Sequence, residues 1–202
     1  MRAADYWNDA LSIEAYLEQM TQRREQFDNG IAQTIITPEL RQAFGGRPLR
    51  FLILTEDYCG DSAQFIPPVM RLTQELDNVE VRILLRNNHR ELAANYLRKD
   101  GYQPIPVFIL LDAEGNELGA LIERPARMYD DMAAETRRFA QENAHLEGIN
   151  RNYKQMPQET LAAVMANMEA FRAAHSERYL AMLWEDLAAI VASAPQAAVP
   201  AD

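Results

Sequence analysis

The chain has 202 residues, 48% of them hydrophobic, enough for a packed core, and a formal net charge of −10. That charge argues against non-specific nucleic-acid binding and against a polybasic membrane contact, and no apolar run approaches the roughly 20 residues that a membrane helix needs. A single cysteine, Cys59, excludes an internal disulfide and a cysteine-rich zinc site, and His89, His145 and His175 are too scattered in sequence to suggest a metal cluster, so neither a metal nor another cofactor is expected.

Residues 12–28 place Ile13, Tyr16, Leu17, Met20 and Phe27 on one helical face behind Ser12 as a cap. Thr37 before Pro38 starts a short second helix, and Gly45, Gly46 and Pro48 break the chain. The N-terminus is acidic and carries no continuous apolar core of the signal-peptide kind, which reads as a cytoplasmic protein. The apolar run 49–54 is short enough for a buried strand, 62–77 reads as a helix and 79–85 as a second strand. Asn88 is placed to cap a helix that stops at Gly101. Residues 105–112 form a third strand, and 113–116 turn it into a fourth over 117–123. Residues 126–147 and 158–193 read as helices, the second broken near His175, with Leu161, Val164, Met165, Met168 and Phe171 as packing positions. Trp7 and Trp184 also read as packing residues, and the tail 194–202 as disordered.

The order β-α-β-α-β-β makes the first two strands parallel through a right-handed crossover and the last two an antiparallel hairpin. The fold class expected is α/β: a mixed four-stranded sheet covered by helices, with a helical extension over 1–48, a core over 49–147 and a second extension over 148–193. Those extensions offer faces that a partner or a second copy in a homodimer could share.

The most informative stretch is 51–68, where an apolar strand runs into Tyr58-Cys59-Gly60-Asp61-Ser62 and a helix containing Pro67. A cysteine at a strand-to-helix turn lies where backbone N–H groups and the helix dipole stabilise a thiolate. On these residues the chain resembles the thioredoxin superfamily: Tyr58-Cys59-Gly60 is similar to that family's Trp-Cys-Gly, Pro67 lies eight residues after Cys59 like its helix-kinking proline, and Ile105-Pro106-Val107 is similar to its Ile-Pro-Thr. More narrowly, the segments around Cys59, 80–88 and 105–117 resemble an uncharacterised thioredoxin-like family of bacteria with a Cys-Gly-Asp motif and helical extensions on both sides. Ser62 stands where the resolving cysteine would be, Ile53 where thioredoxin places a buried aspartate, and Asp61 where it has a proline between the cysteines. Cys-Gly-X-Ser is also similar to monothiol glutaredoxins, which carry phenylalanine at the position of Asp61.

The resemblance implies a cis Pro106 facing the thiol and a third strand that begins at the edge where the first two end. Cys59, the loop 86–89, Ile105-Pro106 and residues 123–127 should then converge. Cys59, Ser62 and Pro106 are the expected catalytic residues, with Tyr58, Gly60, Asp61, Ile105, Arg86, Arg124 and Arg127 meeting the partner. Glu56, Asp57 and Asp61 near Cys59 disfavour a thiolate, whereas the helix terminus and the three arginines favour it. The plain alternatives are arginines that pair with surface acids and a Ser62 explained by its place in a helix's first turn. Two functions fit: a monothiol oxidoreductase working on a protein or low-molecular-weight thiol or disulfide, and a redox-silent thioredoxin-fold module that binds extended segments.

Overall fold

The computed structural model describes residues 2–194, so all but the first residue of the expected disordered tail lies outside the described residues. The chain forms two compact units. The first runs to Arg124 and takes up the chain again at Leu183; the second is Pro125–Met182.

The first unit is built on four strands, β1 (Leu49–Thr55), β2 (Val79–Leu85), β3 (Val107–Leu111) and β4 (Glu117–Ile122). Their order across the sheet is β2-β1-β3-β4, with β1 and β2 parallel and the other pairs antiparallel. The mixed α/β sheet expected from the sequence is therefore the observed one. Alternation along the strands gives each face its own packing. Leu52, Leu54, Leu84, Val107, Ile109 and Leu111 bury one face against Trp7, Leu92 and Tyr96. On β1 the alternate residues Phe51 and Ile53 are equally inaccessible, and Phe51 meets Phe44, which in turn meets Trp184. Leu11 exchanges backbone hydrogen bonds with Ile83 (2.8 and 2.9 Å), which covers part of the edge that β2 would otherwise leave open.

Helices α1 (Ile13–Gln19), α2 (Arg24–Gln33) and α3 (Pro38–Phe44) precede the sheet. Ser12 caps α1 through the Ala15 N–H and Thr37 caps α3 through the Leu40 N–H. The single helix expected over 12–28 is thus two. The break falls at Arg23, which adopts a left-handed conformation (φ 56°), and the N–H groups of Thr21 and Gln22 bond the Asp57 carboxylate instead of a helical carbonyl. Helix α4 (Gly60–Glu75) links β1 to β2 and carries Pro67 and Pro68 inside it. Gly30 of α2 faces Pro67, where a Cβ would stand 2.7 Å from the proline's own Cβ, so only glycine allows that approach.

Between β2 and β3 the expected long helix shrinks to α5 (Arg90–Ala93), preceded by a short 3-10 turn over Arg86–Asn88. His89, not Asn88, is the residue before α5. Pro104 and Pro106 and the left-handed Gly101 (φ 79°) follow, and none of these favours continued helix. The turn between β3 and β4 is closed by Asp112, which accepts from the backbone and side chain of Asn116, with Gly115 at φ 81°.

The second unit holds α6 (Met128–Glu142) and α7 (Gln158–Ala174), packed through Met132, Val164, Met168 and Ile149. Met165, expected in that stripe, is exposed. Helix α8 (Ser176–Ser193) begins after the break at His175 and continues into the first unit. No helix among the described residues is long and apolar enough to cross a membrane.

Candidate functional site

Strand β1 ends at Thr55, and the chain turns through Glu56, Asp57 and Tyr58 to Cys59, whose N–H donates to the Glu56 carbonyl (3.3 Å). Cys59 is the N-cap of α4, with extended backbone angles, and its own carbonyl accepts from the Ala63 N–H (3.1 Å). The half-buried thiol thus stands at the positive end of a 16-residue helix. Its S–H donates to the Ile105 carbonyl at 3.4 Å, and the Ile105–Pro106 peptide bond is cis. The antiparallel pairing of Leu54 with Val107 brings the start of β3 beside the end of β1.

Each element that approaches the turn fastens one of its residues. Glu56 accepts from the Asn87 N–H (2.7 Å). Asp57 accepts from the Thr21 N–H and hydroxyl and from the Gln22 N–H (2.8, 3.0 and 3.1 Å). Burial alone would push the Asp57 carboxyl up, but these hydrogen bonds together bring it below the usual range. Arg23 donates to the Tyr58 carbonyl (2.9 Å). Tyr58 is 46% exposed, and its hydroxyl accepts from Arg86, which also donates to the Gln103 carbonyl (3.0 and 3.1 Å). Arg86 therefore ties Tyr58 to the segment leading into Ile105.

Charged groups meet beneath the cysteine. Asp61 is only 5% exposed and pairs with Arg124, which also holds Glu123 at 2.6 Å. Glu123 is bonded in turn by Arg98 at 3.3 Å. Its backbone is left-handed (φ 67°), a conformation costing a residue with a Cβ about 1–3 kcal/mol. There its N–H donates to the Pro106 carbonyl (2.8 Å). The acids that would oppose a thiolate are consequently engaged: Asp61 by a guanidinium, Asp57 and Glu56 by backbone N–H groups.

Uncharged groups meet on another flank. Thr55 and Ser62 are fully buried, and the Thr55 hydroxyl donates to the Ser62 oxygen at 2.7 Å, with the Glu56 carbonyl a second acceptor at 3.3 Å. Ser62 occupies the third position of α4. Tyr16 of α1 is 1% exposed and lies against Phe27.

Of the expected site residues, Tyr58, Cys59, Gly60, Asp61, Ser62, Arg86, Ile105, Pro106 and Arg124 belong to this edge of the first unit. Arg127 is an exposed residue of the second unit, just before α6. Thr55 completes the cluster without having been singled out, and Glu123 joins it from the segment 123–127 that was expected to converge there. Among the described residues, no group of three or more histidine, cysteine, aspartate or glutamate side chains is arranged to hold a metal ion.

A parallel strand pair, a helix capped by cysteine and an antiparallel strand entering through a cis proline define a thioredoxin-like protein. The sequence model of a family described as Thioredoxin matches residues 10–138, and the chain belongs to that family. Among solved structures, a protein of unknown function from Pseudomonas aeruginosa is 18% identical, with 95% of this chain and 98% of that one covered and a TM-score of 0.59. An HIV epitope scaffold is 16% identical, with 96% and 100% covered and a TM-score of 0.57. Both likenesses concern the fold. No curated protein matches the chain.

Proposed function

We propose that Cys59 is the nucleophile of a monothiol thiol–disulfide exchange. The thiol gives its proton to solvent. The Cys59 thiolate then attacks one sulfur of a partner disulfide, forming an Sγ–S bond as the partner's S–S bond breaks and its second sulfur leaves as a thiolate. Ser62 cannot resolve the mixed disulfide, so an external thiolate, from a protein or a small molecule, attacks the bound partner sulfur and Cys59 departs. The observation that supports this reading best is the partly exposed sulfur at the N-terminus of α4, 3.4 Å from the Ile105 carbonyl. Tyr58, Gly60, Ile105, Asp61, Arg86 and Arg124 are the residues proposed to meet the partner, and the exchange needs no cofactor.

The test is the pH dependence of Cys59 alkylation in native protein against the denatured chain. The expected outcome is faster labelling of Cys59 in native protein than in the denatured chain at neutral and lower pH, together with a trappable mixed disulfide at Cys59. Native labelling slower than in the denatured chain at every pH overturns the reading. If Cys59→Ser also retained partner binding, the chain would be a redox-silent binding module.

A further inference from the structure

We infer that Arg86 and Tyr58 form a carboxylate subsite beside Cys59, so that the thiol or disulfide partner carries an anionic group close to its reacting sulfur. The inference rests on Cys59 being the reacting atom. It begins from donors that are left over. A guanidinium has five N–H donors and a charge that it keeps at every physiological pH. Arg86 spends three of them, one each on the Asn87 side-chain oxygen (3.1 Å), the Gln103 carbonyl (3.1 Å) and the Tyr58 hydroxyl (3.0 Å), and two remain. All three acceptors are neutral, and among the described residues no carboxylate pairs with Arg86. Tyr58 accepts from Arg86, and its own O–H proton has no acceptor among the described residues.

Position gives these donors their meaning. Tyr58 precedes Cys59, and Gln103 lies two residues before Ile105, whose carbonyl accepts from the thiol at 3.4 Å. The guanidinium thus bridges the two segments that flank the sulfur. Other arginines of this edge are engaged by acids: Arg124 by Asp61 and Glu123, Arg98 by Glu123 and Asp100. The acids of the turn are held as well, Glu56 by the Asn87 N–H and Asp57 by those of Thr21 and Gln22. Arg86 is half-buried and Tyr58 is 46% exposed, so both are open to a group that reaches the sulfur. A carboxylate fits this set of donors. It offers two oxygens to the planar guanidinium and can accept the phenol proton too. A neutral amide offers one oxygen, and an ammonium offers none. The net charge of −10 repels anions at long range, but salt screens that field over about 10 Å at 0.1 M, whereas the local donors act at contact.

The experiment labels native Cys59 with maleimidopropionate and with its neutral amide at one pH, where the thiolate fraction cancels from the ratio of the two rates. The wild-type ratio of anionic to neutral reagent is expected to exceed that of free mercaptoethanol and to fall about fivefold in Arg86→Gln. A variant that only lost the ties to Tyr58 and Gln103 would slow both reagents alike and leave the ratio in place. An equal ratio in wild type and Arg86→Gln therefore overturns the proposal. Should Arg86→Gln not fold, wild type suffices: a ratio no higher than that of mercaptoethanol overturns it equally. Exchange is then followed with dithiodipropionate and with a peptide disulfide that has aspartate beside its cysteine. The one that Arg86→Gln slows more identifies whether the carboxylate comes from a small molecule or from a protein segment, and slowing of neither overturns the proposal. Native against denatured labelling judges whether Cys59 is activated, while the ratio judges the charge preference, so the two readings fail separately.

Discussion

On one flank of Cys59 the buried polar groups are neutral hydroxyls, those of Thr55 and Ser62; on another they are the carboxylates of Asp61 and Glu123, held by the half-buried Arg124. The two sets meet different needs. Hydroxyls can reverse their hydrogen bonds by rotating a proton, with no movement of heavy atoms. Buried ions cannot do this: each has been taken out of water, and its partner must stay. That flank fixes where α4 begins relative to the segment after β4. One flank can exchange its hydrogen bonds without moving heavy atoms, while the other is fixed by charge.

Breaking the ionic flank is expected to have the largest effect. Arg124→Ala removes the guanidinium that Asp61 and Glu123 share, and should lower unfolding free energy by roughly 3–5 kcal/mol in urea titration. Adding Asp61→Asn should restore part of that loss, because the buried charge that Arg124 balances disappears with it. A loss below about 1 kcal/mol in Arg124→Ala would mean that the ion pairs are solvated in practice and that the contrast between the flanks is false. The hydroxyl flank should be cheaper to break. Thr55→Val keeps the shape but leaves Ser62 without its buried donor, for about 1–2 kcal/mol.

Much of the sheet was legible in the sequence because its signals are local. The run 79–85 coincides with β2, and the turn residues of 113–116 close the hairpin as read. The Cys59 edge was legible because a strand, a turn cysteine and a downstream proline stand together in one short stretch. What was not legible is nonlocal. Tyr16 carries the same pattern as any core residue on an amphipathic face, and nothing near it in sequence shows that its hydroxyl is buried with its ring. The helix 12–28 looks continuous by periodicity, but an acid far along the chain, Asp57, takes the N–H groups of Thr21 and Gln22 and ends it. Glu123 gave no warning of a left-handed backbone, since glutamate seldom adopts one. Arg127, only three residues beyond Arg124, falls in the other unit, a boundary the sequence does not mark.

Asp57 gives the smallest of the effects and the one that joins the helical extension to the cysteine turn. Its carboxyl is held below the ordinary range in the folded state, burial opposing and the hydrogen bonds from Thr21 and Gln22 prevailing. The stability it contributes is therefore present above the unfolded value, about 3.9, and is lost as pH falls through the lower folded value. Asp57→Asn keeps an oxygen acceptor but removes the charge, which should cost about 1 kcal/mol at neutral pH. The gap in thermal midpoint between wild type and variant should then narrow below about pH 3.9 and close once the folded carboxyl is protonated. A gap that stays undiminished well below about pH 3.9 would show that the turn is held by shape and not by the carboxylate. The break between α1 and α2 would then owe nothing to charge, and the extension would not be fastened to Cys59 in the way the hydrogen bonds imply.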